Sequence, residues 1–463
     1  MLQPDLVVRG RRIVTPSGIR PGAIHVRNGR IIGILDIDDA PAGCTVDDAG
    51  DDVVLPGVVD THVHVHATGQ TTPEVFERTT RAAAAGGVTS IIAMPFDTGH
   101  PITTAAAFES QCRAAQDHCF VDVGFWGGLV PGNDAPSALY QAGVFGFACR
   151  LASYDEDRFA LSVGDLRALI PALARIGAPL LVYAELPGPI DPTVAHERSH
   201  RRWTDLIPGV SARHRRYLTY LASRPKAAEA EAISLMIQIC QESRLPIHIA
   251  ALSSSDALTP IFRARSAGLR FSADTSPHHL FFVAEDIPNG AIEFTCAPPI
   301  RERANREFLW AALAGGLIQS VSSDHRRGAA LGRAGDFFMS QGGIDSIQLG
   351  LSVVWTEACA RGYTLEQIGL WMCRSPAEFV DLPRKGLIDV GYDADLVVFD
   401  AEAEFIVDAP KLSDEHHLTP YDGRRLRGVI RRTYLRGMRV FEGDREFREA
   451  RGRFLLSRQP SRV

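Results

Sequence analysis

The chain has 463 residues, 45% of them hydrophobic and 22% charged, an ordinary globular composition long enough to bury one large core and a smaller module. A formal net charge of −6 argues against a nucleic-acid partner, and the basic clusters at Arg213 to Arg216 and Arg424 to Arg432 read as solvated faces. Eight cysteines without a Cys-x-x-Cys pair, a start lacking a basic then apolar leader, and no run of about 18 apolar residues point to a cytoplasmic protein with reduced thiols, and away from export or a membrane.

Residues 1–54 alternate short valine and isoleucine runs with Pro16-Ser17-Gly18, Pro21-Gly22 and Asn28-Gly29, which are turn signals at hairpin spacing. They are read as the first part of a small β-sandwich. The run Leu55-Pro56-Gly57-Val58-Val59-Asp60-Thr61-His62-Val63-His64-Val65-His66 then reads as a buried strand, on which His62 and His64 share a face. Two imidazoles side by side make half a metal site, although the same pair taken alone also suits two structural histidines. Candidate strands fall at 53–65, 88–95, 120–130, 144–152, 179–186, 246–253, 269–277 and 317–325, separated by longer helical patterns. Eight such units between 55 and 388 predict an α/β fold, a TIM (β/α)8 barrel whose site lies where strands end and loops begin. Asp324, in Val321-Ser322-Ser323-Asp324-His325, ends the eighth unit, so barrel closure sets it beside His62 and His64. Gly391 to Asp400 and Gly428 to Val440 resume strand alternation, so 389–463 is expected to supply the second part of the β-sandwich, built from both termini, and a C-terminal tail.

Longer blocks carry a family likeness. The run from Pro56 to Pro95, with Arg81-Ala82-Ala83-Ala84-Ala85-Gly86-Gly87-Val88-Thr89 and Met94-Pro95, resembles the cyclic amidohydrolases, the allantoinases most of all. Val121-Asp122-Val123-Gly124-Phe125-Trp126-Gly127-Gly128, Tyr220-Leu221-Ala222-Ser223-Arg224-Pro225, Cys296-Ala297-Pro298-Pro299-Ile300-Arg301 and Val353-Val354-Trp355-Thr356-Glu357-Ala358 extend the resemblance over nearly the full length. It implies a two-metal centre: His-x-His on strand one, a carboxylated lysine on strand four, a histidine each on strands five and six, and an aspartate on strand eight. Such a pair of ions lowers the pKa of a bound water and polarises an amide carbonyl, while the aspartate carries a proton to the leaving nitrogen.

Measured against that pattern, His62, His64 and Asp324 match as metal ligands, with Asp324 also the catalytic proton carrier. The remaining positions fall on Ala148, Tyr183 and Ala251, and His248, three residues before Ala251, is expected on the other side of its strand. The centre is therefore expected to hold one divalent ion, zinc, on three protein ligands, while a metal-free site using Asp324, Tyr183 and a histidine stays open beside it.

Substrate-binding candidates are His66, Arg150, Tyr183, His278 and Gln341. His66 opens a loop that departs from the family, and Asp97 stands where asparagine is common. Arg150 shares the parity of Ala148 and should point towards the barrel mouth. With Arg326 and Arg327 it would suit an anionic ligand, or else pair with Asp155 or Glu156. Cys149, of opposite parity, is read as packing.

Two functions follow. One is hydrolysis, or the reverse cyclisation, at a C–N bond of a small cyclic amide, imide or ureide. The other is a catalytically inactive relative serving as scaffold or partner subunit. The resemblance implies a homotetramer or homodimer.

Overall fold

Both ends of the chain alternate branched apolar residues with polar ones, and both are strands of the same sheet. In the computed structural model the strands are β1 (Leu6–Thr15), β2 (Gly18–Arg27), β3 (Arg30–Leu35), β4 (Thr45–Asp48), β5 (Val53–Pro56), β6 (Val58–Val63), β7 (Val88–Ala93), β8 (Asp122–Phe125), β9 (Gly127–Gly128), β10 (Phe147–Arg150), β11 (Leu180–Tyr183), β12 (Ile247–Ile249), β13 (Phe271–Thr275), β14 (Ser320–Val321), β15 (Leu396–Ile406), β16 (Arg425–Leu435) and β17 (Met438–Glu442). It describes residues 3–65, 72–96, 101–133, 136–152, 159–191, 213–326, 335–338, 340, 342–413, 418–443, 445 and 449–457.

The terminal strands run in the order β17-β16-β15-β5-β1-β2-β3, with β4 added to β1. Val8, Ile24, Val54, Leu396, Val398 and Tyr434 form the core of this domain. Arg9–Asp48 and Arg12–Glu402 pairs lie on the exposed surface. The expected strand over 53–65 is two strands. β5 belongs to the terminal sheet and β6 opens the barrel, and the chain changes partners at Gly57, whose N donates to Asp395 O at 2.8 Å. A side chain cannot stand there, because a Cβ on Gly57 would lie 2.2 Å from Thr89 Oγ1.

The barrel is an eight-stave (β/α)8 ring laid down as nine short parallel strands, in arcs β6-β7-β8 and β9-β10-β11-β12-β13-β14. The expected strand over 120–130 splits at Trp126, whose indole Nε1 donates to Thr61 O at 2.9 Å. Backbone hydrogen bonds join the arcs at both seams, Phe145 N to Phe125 O at 3.0 Å and His64 N to His325 O at 2.8 Å. Inward residues Val59, Ile92, Phe96, Trp126, Ala148, Leu181, Tyr183 and Ala250 fill the interior, as the period-2 pattern requires. Cys149, Leu180 and Val182 face outward, into the larger core under the helices.

Helix ends follow local chemistry. The helix Val163–Ile176 starts at a capping box, Ser162 with Asp165, and stops at Gly177 with φ +68°. The C-terminal tail leaves the terminal sheet and returns to the barrel, with Gly452 N on Cys119 O and Leu455 N on Val123 O at 2.8 and 2.9 Å. Every cysteine is a free thiol, and no described helix is long and apolar enough to cross a membrane.

Candidate metal centre

The mouth of the barrel is organised by one buried acid. Asp60 of β6 accepts from its own neighbour His62 N at 3.2 Å and from Ser323 N at 3.1 Å, tying strand one to the turn after β14. That turn carries Asp324 at φ +46°, a left-handed conformation that aspartate tolerates better than most residues. Asp324 Oδ1 thereby comes 3.1 Å from His62 Nε2 and 3.6 Å from His64 Nε2, while Oδ2 lies 3.9 Å from His278 Nε2.

Tyr183, the last residue of β11, reaches across the lumen. Its hydroxyl lies 2.6 Å from His64 Nε2 and also hydrogen-bonds His62 Nε2. One phenol proton can serve one imidazole, so the other histidine must donate to the phenol oxygen.

Burial pushes the Asp324 carboxyl up, but the charges and hydrogen bonds of His62 and His64 outweigh it and hold the group well below the usual carboxylate range. Burial pulls His62 down, and the Asp324 carboxylate reverses that to a net rise. His278 has little such compensation. Burial and neighbouring His279 hold it well below the ordinary histidine value. Asp60 is raised by burial against its three backbone and side-chain hydrogen bonds.

The donor set fits one divalent ion. Donors around a tetrahedral ion with bonds near 2.0–2.1 Å stand about 3.3 Å apart, and the two Asp324 contacts bracket that spacing. His62, His64 and Asp324 each offer a ligand atom within 4.8 Å of the others. The Tyr183 hydroxyl occupies hydrogen-bonding positions on the same two nitrogens, so it competes with an ion or becomes a further donor to it.

Of the expected site residues, the structure brings His62, His64, Asp324, Tyr183 and His278 together. Arg150 is buried, its guanidinium 5.5 Å from the Tyr183 ring and 5.0 Å from that of Phe96. Arg326 is half-buried, its backbone N on Ile344 O at 3.1 Å. His66, Asp97, Asp155, Glu156, Arg327 and Gln341 lie outside the described residues.

One expectation fails. His248 does not face away from the lumen but lies inside it, a layer below the mouth, stacked 3.9 Å from Phe379 and bonded through Nδ1 to Ser272 Oγ at 2.7 Å. The strand ends at Ile249 and Ala251 has φ +49°, so alternation cannot be counted across that break. Sequence reasoning passed over Asp60, although an acid inside an apolar strand must find buried partners. It also passed over the neighbourhood of His279 and Cys296, which are far apart in the chain.

The family model described as the amidohydrolase family matches residues 53–265 and 282–440. The chain is 42% identical to an allantoinase of Streptomyces avermitilis, over 99% of this chain and 100% of that one. It is 35% identical to an allantoinase of Arabidopsis thaliana, over 97% and 90%. Among solved structures, an L-hydantoinase (dihydropyrimidinase) from Arthrobacter aurescens superposes with a TM-score of 0.85 at 29% identity, covering 98% and 100% of the two chains.

Proposed function

The chain belongs to the amidohydrolase family, and from that premise we propose that it hydrolyses a C–N bond of a cyclic amide or ureide at a centre built on His62, His64 and Asp324. The observation that carries this reading is the convergence of those three donors at the barrel mouth, within 4.8 Å of one another and with both Asp324–histidine separations near the spacing around an ion of the zinc class. Such an ion, when bound, supplies a water of lowered pKa and polarises the ring carbonyl.

The chain's own residues do the rest. Asp324 stands beside both histidines and carries the proton from the attacking water to the leaving ring nitrogen. Asp60 fixes the backbone of His62 and of the Asp324 turn together, so the two cannot drift apart. Tyr183 satisfies the two imidazoles when no ion is held there. Arg150 sets a fixed positive charge beside Tyr183, which favours a substrate bearing a carboxylate.

Elemental analysis of protein purified without a chelating tag tests the centre. His62→Ala is expected to lose about one ion per chain relative to the parent, together with turnover of cyclic ureides and imides. Equal ion content in the two proteins removes the metal from this site. A competing reading, a catalytically inactive relative acting as a scaffold, draws on Ala148, Tyr183 and Ala251 standing where the family resemblance implies ligands. It gains if neither protein holds an ion and no cyclic amide is turned over.

A further inference from the structure

Beyond Asp324 lies a second group of donors. The helix Pro277–Phe281 carries His278 and His279, and the segment leading to Pro298 carries Cys296; they are 0%, 3% and 3% exposed. One atom of each, two ring nitrogens and the Cys296 Sγ, lie within 4.8 Å of one another. His279 Nε2 is 3.1 Å from Pro298 O. A carbonyl only accepts, so Nε2 carries the proton and Nδ1 is left as a lone pair. Among the described residues that Nδ1 has no hydrogen-bond partner, and neither nitrogen of His278 has one. Buried imidazole nitrogens left unmatched pay their desolvation without return, and three in adjacent residues are not expected unless something binds them.

We propose that His278, His279 and Cys296 form a second divalent-ion site, of the zinc class, on the other side of Asp324 from His62 and His64. Imidazole and thiolate together select zinc-type ions over magnesium or calcium. Three protein donors leave one vertex for water or a ligand. The His279–Pro298 bond is the outer support that a ligating histidine ordinarily has, and it leaves Nδ1 as the nitrogen with a lone pair to offer. Donors around such an ion stand about 3.3–3.8 Å apart, so the group contracts by up to about 1 Å on loading. Cys296 binds as thiolate, releasing its proton to solvent. The site stands on its own donors and does not require an ion between His62 and His64.

Titration of chelator-stripped protein with cobalt(II) decides the matter. A thiolate-to-cobalt charge-transfer band in the near ultraviolet is expected, saturating at about one equivalent per chain, absent in Cys296→Ser and retained in His62→Ala. A parent protein that shows no such band overturns the site. So does a band that vanishes in His62→Ala, because Cys296 would then serve the first centre. Should Cys296→Ser fail to fold, His278→Gln checked by circular dichroism carries the same test. Loss of one cobalt equivalent with the fold intact supports the site, and unchanged content overturns it.

Discussion

At the closed end of the barrel, Lys385 Nζ meets Asp122, Asp395 and Asp393 at 2.7, 2.6 and 3.2 Å, and Arg436 Nη1 donates to Asp122 Oδ1 at 2.7 Å. Backbone N–H groups of Arg436 and Arg453 occupy Asp395 Oδ1 and Asp122 Oδ1. At the open end, His62 Nδ1, both nitrogens of His278 and His279 Nδ1 lack hydrogen-bond partners among the described residues, although all three residues are buried. The two clusters share burial and charge density but differ in saturation. A cluster whose donors and acceptors match one another has finished its chemistry within the chain. One with orphaned lone pairs is shaped for a further partner, and it lies at the end where barrels of this kind keep their sites.

The contrast breaks most forcefully at the closed end. Lys385→Met would leave three carboxylates facing one another, and removing one partner from a buried ionic cluster costs about 3–5 kcal/mol. Urea denaturation is expected to show a loss of that size, with turnover per folded molecule unchanged. The carboxylates also set a pH signature. Burial lowers the Lys385 ammonium, but Asp395 and Asp122 outweigh it and raise the group above its ordinary value of 10.5. A raised lysine stabilises fully below its unfolded value and loses that contribution as pH climbs through the folded one. The parent should therefore lose stability between about pH 10 and 12 relative to Lys385→Met, and parallel curves for the two would remove the ammonium from the account.

The open end should respond the other way. Asp324→Asn is expected to lower kcat by about 10²–10⁴-fold while shifting the thermal midpoint little. A large midpoint shift with activity retained would make Asp324 a structural residue. Tyr183→Phe has a smaller effect with a diagnostic sign. Loading an ion must break the phenol's hydrogen bonds to His62 and His64, each about 0.5–1.5 kcal/mol. Without the hydroxyl, zinc affinity measured by competition should tighten about tenfold. Weakened binding would instead make the phenol a ligand.

How much of this was legible in the sequence divides along the same line. His62, His64 and Asp324 could be placed because each rests on period-2 alternation and on the end of a strand, both local properties. The break at Gly57 was not legible, since residues on both sides are apolar and buried and differ only in which distant strand they pair with. His248 was misplaced because alternation was counted past the end of β12. The pairing of His279 with Pro298 and Cys296 depends on how a loop folds back over a helix, which no periodicity encodes.

The smallest effect tests the parity on which the open end depends. Ala148 and Tyr183 line the lumen only if β10 and β11 keep the register Ala148 to Leu181 and Arg150 to Tyr183. Cys149 then points outward into the packed layer beneath the helices, where burial pushes its thiol up to about 12. At about pH 8 roughly one such thiol in 10⁴ is ionised, and its packing denies access even to that fraction. Iodoacetamide should therefore leave the Cys149 peptide unlabelled in the folded protein while reaching the half-buried Cys44 and Cys359. Rapid labelling of Cys149 would mean that β10 is turned by one residue. Arg150 would then face the helices, and the proposed preference for an anionic substrate would lose its basis.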